Sequence, residues 1–179
     1  MKSRLRFAAA VVAASLFGMA APLAANPAFV SDPSKDYFGY FLPTAPVKLG
    51  NWQVKDFFVG GKDDFKSFES GKADKAFGAV MLEFDDVTSP QKTAEDGQPY
   101  YTGQIRVLPT AYHVGMDRVT FAGSDEKLGA VSFVGTFDKD YFKKPSADVA
   151  HPGDRPMLRG RLTVGKQSFN VAFNWFGGD

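Results

Sequence analysis

The sequence predicts an all-β domain, an antiparallel β-sandwich or small β-barrel of about seven to eight strands, with one short helix near residues 63–70. Three observations carry this reading. Apolar and polar residues alternate in stretch after stretch between 51 and 176. Gly and Pro punctuate those stretches at short intervals. A single stretch repeats its apolar residues at helical spacing.

Residues 1–25 stand outside that domain. "MKSRLRFAAAVVAASLFGMAAPLAAN" sets Lys2, Arg4 and Arg6 before an Ala-rich apolar run and small residues. That is the layout of a secretory leader, with cleavage expected after Ala25. The expected destination is a periplasm or the cell exterior, with no integral membrane span after cleavage. Residues 26–50 hold Pro43, Pro46 and Gly50. They are expected to be irregular, laying "DYFGYF" over an open edge of one β domain that occupies 51–179.

"NWQVKDFFVGG" reads as a strand, with Trp52, Val54 and Phe58 at even spacing. "KDDFKSFESGK" reads as the helix. Asp63 or Asp64 can cap it, Phe65 and Phe68 share a face, and Gly71 ends it. "FGAVMLEFDDVTS" should turn Val80, Leu82 and Phe84 inward and Met81, Glu83 and Asp85 outward. "PQKTAEDGQP" reads as a loop. In "YYTGQIRVLPTAYHV", Pro109 has no N–H for a ladder and should bend or split the strand.

"VTFAGSDEKLGAVSFVG" reads as a hairpin that puts Val119, Phe121, Val131 and Phe133 on one face. The simplest register sets Phe121 opposite Val131 around a turn over 124–128. "DKDYFKKPSADVAHPGDRP" is a long polar connection. The last hairpin is expected to pair Val164 with Phe169, Leu162 with Val171, Gly160 with Phe173 and Leu158 with Trp175. An aromatic ring opposite Gly160 would cover the bare backbone there.

Composition narrows the chemistry. Loss of the leader's three cations turns the formal net charge from +1 to −2, which leaves no basic footprint for nucleic acid. The absence of Cys excludes disulfides, thiol catalysis and thiolate metal sites. Two His residues, His113 and His151, have no ligand spacing, and no cofactor motif or metal centre is expected. No G-x-S-x-G elbow is present.

What remains is aromatic and carboxylate chemistry. There are 18 Phe residues, and the plain reading is that they fill the core. Tyr37, Tyr40, Phe41 and Tyr141 are candidates for ligand contact, since aromatic faces stack on sugars and anchor partners. Glu83 and Asp85 stand two apart on a strand, about 7 Å from each other on one face. Arg106 and Gln104 are their expected cross-strand partners. Two carboxylates at that distance can hydrolyse a glycosidic bond or can pair across strands. Arg159 and Arg161, with Arg118, could present guanidinium groups on one sheet face.

"LRGRLTVGKQSFNVAF", residues 158–173, resembles the late strands of the YceI family. These are secreted β-barrels that hold isoprenoid-like lipids. The resemblance implies a barrel with an apolar ligand inside. That family's early motifs, an Asp and a His-Ser pair near the mature start, do not occur here.

The expected function is a non-catalytic binding protein of the bacterial cell envelope, taking a small apolar, lipid-like or glycan ligand. The alternatives are a module that binds an envelope protein, and a glycan hydrolase using Glu83, Asp85 or Asp86. An interior cavity would favour the first. A solid core with an exposed aromatic or arginine patch would favour the second, the module that binds an envelope protein.

Overall fold

The computed structural model describes residues 28–140 and 155–178. The expected leader, Tyr141 and His151 lie outside these residues. The fold is all-β with one helix. In chain order the elements are β1 (Phe29–Ser31), β2 (Gly39–Pro43), β3 (Lys48–Leu49), β4 (Trp52–Val59), α1 (Lys62–Glu69), β5 (Val80–Asp86), β6 (Gln91–Thr93) and β7 (Pro99–Tyr101). Then come β8 (Gln104–Val107), β9 (Pro109–Gly115), β10 (Arg118–Asp125), β11 (Gly129–Phe137), β12 (Leu158–Val164) and β13 (Gln167–Phe176).

One curled sheet runs β1-β9-β10-β11-β12-β13-β2-β4-β5-β8, with β3 added on β4. Leu108 alone separates β8 from β9, so a bend there leads from one end of the path, β8, to the strand next to the other end, with the short parallel β1 outside β9. The bend sits beside Pro109, as the missing N–H predicts. β6 and β7 form a separate small hairpin whose turn uses Gly97 at φ +84°. The sequence reads there as a plain loop.

Residues 26–50 are more ordered than expected. β2 lies in the middle of the sheet, between β13 and β4, rather than over an edge. Gly39 makes this possible. The Trp175 indole lies against it, so close that a Cβ at 39 would stand 2.1 Å from Nε1. The same indole N–H donates to the Phe38 carbonyl at 2.9 Å.

The inner layer is built from rings. Phe57 lies 5.0 Å from Phe133, 6.0 Å from Phe121 and 6.2 Å from Phe173, centroid to centroid. All four are essentially buried, with Val54, Leu82, Phe84, Leu158 and Leu162 around them. Tyr37 and Phe41 belong to this core as well, Tyr37 stacking on Phe137 at 5.1 Å. α1 packs Phe65 and Phe68 against Tyr112 at 5.5 and 6.1 Å. Its start is fixed by the Asp64 carboxylate, which accepts from the Gly61 N–H at 2.8 Å.

Both hairpins keep the expected faces but shift register by two residues. Phe121 pairs with Phe133, not Val131, because Asp125 accepts from the Lys127 and Leu128 amides and Gly129 turns at φ +73°. The loop is therefore shorter than five residues. In the last hairpin Gly165 adopts φ +57° and closes a two-residue turn. Leu158 then faces Phe173 and Leu162 faces Phe169. The ring over Gly160 is Phe133 of the neighbouring strand, whose Cζ is 2.6 Å from where a Cβ would be.

β4 departs from simple alternation. A bulge at Lys55 shifts the ladder between Val54 and Asp56. Val54 and Phe57 face the core, and Phe58 turns to the outer surface instead of sharing the Val54 face.

Candidate functional site

The outer face of β13, β2, β4, β5 and β8 carries three rows of side chains, set by register. The first is Phe176, Tyr40, Phe58 and Met81. Tyr40 is 5.1 Å from Phe58 and 6.4 Å from both Phe38 and Phe176. Phe58 and Met81 are buried beneath their neighbours, Phe77 lying 5.4 Å from Phe58. Phe38, Tyr40, Leu42 and Phe176 are each 36–43% exposed. Four large apolar side chains thus share one exposed surface. Contiguous exposure of this kind marks an interaction site more than scattered single residues do.

The second row is polar apart from Leu42. Asn174 pairs with Leu42, Asp56 with Glu83, and Glu83 with Arg106. Glu83 is clamped from two sides, by Arg106 Nε at 2.6 Å and Lys55 Nζ at 3.0 Å. Arg106 also donates to the Ala76 carbonyl at 3.3 Å. In the third row Gln104 donates to Asp85 at 3.0 Å. The expected partners of Glu83 and Asp85 are therefore the observed ones.

Asp56 is the residue that sequence reading passed over. It is 3% exposed, its Oδ1 has no hydrogen-bond partner, and its nearest cation, Lys55 Nζ, is 3.9 Å away. Burial, reinforced by the Glu83 charge, pushes its carboxyl up to about 7. Burial works to lower Lys55, but the charge and hydrogen bond of Glu83 outweigh it and hold the ammonium above its usual range. The Asn174 Oδ1 is likewise buried without a partner. Two unpaired acceptors therefore lie in the row next to the rings, one on Asn174 opposite Leu42 and one on Asp56 opposite Glu83. A buried acceptor without a donor costs free energy, and both oxygens are shielded from solvent.

The other expected residues divide by burial. Tyr40 is on the exposed surface, while Tyr37 and Phe41 are core residues and do not face a ligand from this side. Alternation explains the split, with Phe38, Tyr40 and Leu42 outward and Phe41 inward. Tyr141 lies outside the described residues. Glu83 has each oxygen on a cation, Asp85 is bound to Gln104, and Asp86 caps the Thr88 turn through 2.9 and 2.6 Å bonds that hold its carboxyl low. Each of the three has a structural partner. Arg118 stands on β10 and Arg159 and Arg161 on β12, with β11 between them. Among the described residues no group of three or more His, Cys, Asp or Glu is placed to hold a metal ion, and no helix is long and apolar enough to cross a membrane.

In comparisons with known proteins the chain matches no family model, no curated protein and no solved structure.

Proposed function

We propose that this chain is a non-catalytic binding protein of the cell envelope that takes a glycan on its outer surface, at β13, β2 and β4. We read the fold as a small barrel of about eight strands, with β8 and β9 acting as one bent strand. The carrying observation is the pairing of a ring-filled interior with exposed rings outside. Phe57, Phe121, Phe133 and Phe173 occupy the inside, where a lipid-like ligand of the YceI kind would sit. Phe38, Tyr40 and Phe176 are left open on the outside.

A sugar asks for two things, an aromatic face for its C–H groups and acceptors for its hydroxyls. The exposed rings supply the first, and the buried oxygens of Asp56 and Asn174 in the next row, about 7 Å along the strands, supply the second only once uncovered by the bound sugar. The leader-like residues 1–25 support delivery to the compartment where envelope glycans are found.

Trp175 reports on this surface through its hydrogen bond to Phe38. Titration of the protein with soluble peptidoglycan fragments should change Trp175 fluorescence saturably. Tyr40→Ala and Phe176→Ala should each weaken binding about tenfold, the scale of a lost stacking contact. Absence of glycan binding by the wild type, or unchanged binding by both variants, would end this reading. Co-purification of a stoichiometric protein on the same rings would replace it with the protein-binding one.

A further inference from the structure

A second site stands beside α1. A cleft of about 450 Å³ opens between the helix and the segment 31–37. This is within the size range of small-molecule sites. Its floor is apolar, formed by Tyr37 and Phe65, both buried in the core. Its rim carries Lys35, Lys62 and Lys66. Lys62 and Lys66 stand one helical turn apart, on the same side of α1.

Two carboxylates also line the cleft, and both are committed to hydroxyl donors. Asp32 accepts from Tyr37 Oη at 3.0 Å and from the Ser34 amide at 2.9 Å. Glu69 Oε1 accepts from Tyr112 Oη at 2.8 Å and Ser31 Oγ at 3.2 Å. Burial and the neighbouring carboxylate hold both tyrosines well above the usual phenol range, so each remains a donor. Among the described residues none of the three lysines is in an ion pair. Three ammonium groups against two carboxylates leave the rim net positive over an aromatic floor.

We propose that this cleft binds a small amphiphile with an anionic head group. The apolar chain lies on Tyr37, Phe65 and the aliphatic stems of the lysines, and the head meets Lys62 and Lys66. Ligand selection then follows head-group charge. A carboxylate or a phosphate monoester fits, whereas an alcohol or a quaternary ammonium of the same chain length does not. None of the exposed ring residues lines this cleft, so the inference is independent of the glycan reading.

The test is isothermal titration of the full chain with decanoate, decyl phosphate, decanol and decyltrimethylammonium, each below its micellar concentration. Saturable binding of at least one anion at one site is expected, with decanol at least tenfold weaker. Lys62→Gln/Lys66→Gln should weaken the anion at least tenfold while its thermal melt stays that of the wild type. Lys62→Glu/Lys66→Glu should bind the ammonium amphiphile in place of the anion. No saturable anion binding overturns the proposal, as does decanol binding as tightly as decanoate. Unchanged affinity in the glutamine variant overturns it too.

Discussion

Phe57 and Phe58 are neighbours on one strand and belong to two different molecular surfaces. Phe57 joins Phe121, Phe133 and Phe173 in the interior. Phe58 lies under Tyr40 and Phe38 on the outside. The inner cluster is fitted to bare backbone. The Phe133 ring occupies the space a Cβ would need at Gly135 and Gly160, and the Phe121 ring is 3.1 Å from that position at Gly123. The outer cluster has a buried base but an open top. One aromatic excess therefore serves two ends, and which end a ring serves depends on backbone parity rather than residue type.

The largest expected effect breaks the inner cluster. Phe133→Ala should cost about 3–5 kcal/mol, since it removes a fully buried ring and leaves a cavity between Phe57 and Phe173. Urea unfolding of the variant measures this. A loss below about 1 kcal/mol would mean that the interior is loosely filled, and the case against an internal ligand would weaken.

The next effect concerns the border between the clusters. The folded-state carboxyl of Asp56 is raised to about 7, from an ordinary value of 3.8. Its contribution is therefore fully present below the unfolded value and is lost as pH rises through about 7, because ionisation is penalised only in the folded state. Asp56→Asn should be more stable than the wild type at pH 8, by on the order of a few kcal/mol, and nearly equal to it at pH 4. Unfolding at both pH values decides the matter. A variant destabilised equally at both would show that Asp56 is held ionised by Lys55 instead.

How much of this was legible in the sequence follows from the same parity. Alternation is local, so it identified Glu83 with Arg106 and Asp85 with Gln104, and it put Phe121 and Phe133 on one face. Register is not local. It depends on turns at Gly129 and Gly165 whose positive φ shortens the loops by two residues. The Lys55 bulge has no side-chain signature, yet it moves Phe58 and Asp56 outward. The one available hint was that Asp56 interrupts the Trp52, Val54, Phe58 series, which a continuous buried face would not tolerate. The place of β2 was hidden for another reason. Its backbone requires Gly39 against Trp175, a contact between residues far apart in the chain.

A smaller effect tests the fit of rings to glycine. Gly135→Ala would set a Cβ 2.3 Å from the Arg159 carbonyl and 2.5 Å from Phe133 Cζ. Backbone on one side and a packed ring on the other leave little room to yield, so a loss of about 1–3 kcal/mol is expected. A thermal melt within experimental error of the wild type would show that Phe133 can move aside.

The smallest stability effect belongs to the outer cluster, and it carries the functional contrast. Phe176 is 43% exposed, and its ring meets Tyr40 at 6.4 Å from one side only. Phe176→Ser removes little buried area and leaves no cavity, so stability should change by less than about 1 kcal/mol. A residue retained for folding would behave like Phe133, with loss of stability and binding together. A residue retained for contact would lose binding and keep the fold. Urea unfolding and glycan titration of the same preparation separate these outcomes. A loss above about 2 kcal/mol would assign Phe176 to the packed structure and shrink the candidate surface to Phe38, Tyr40 and Leu42.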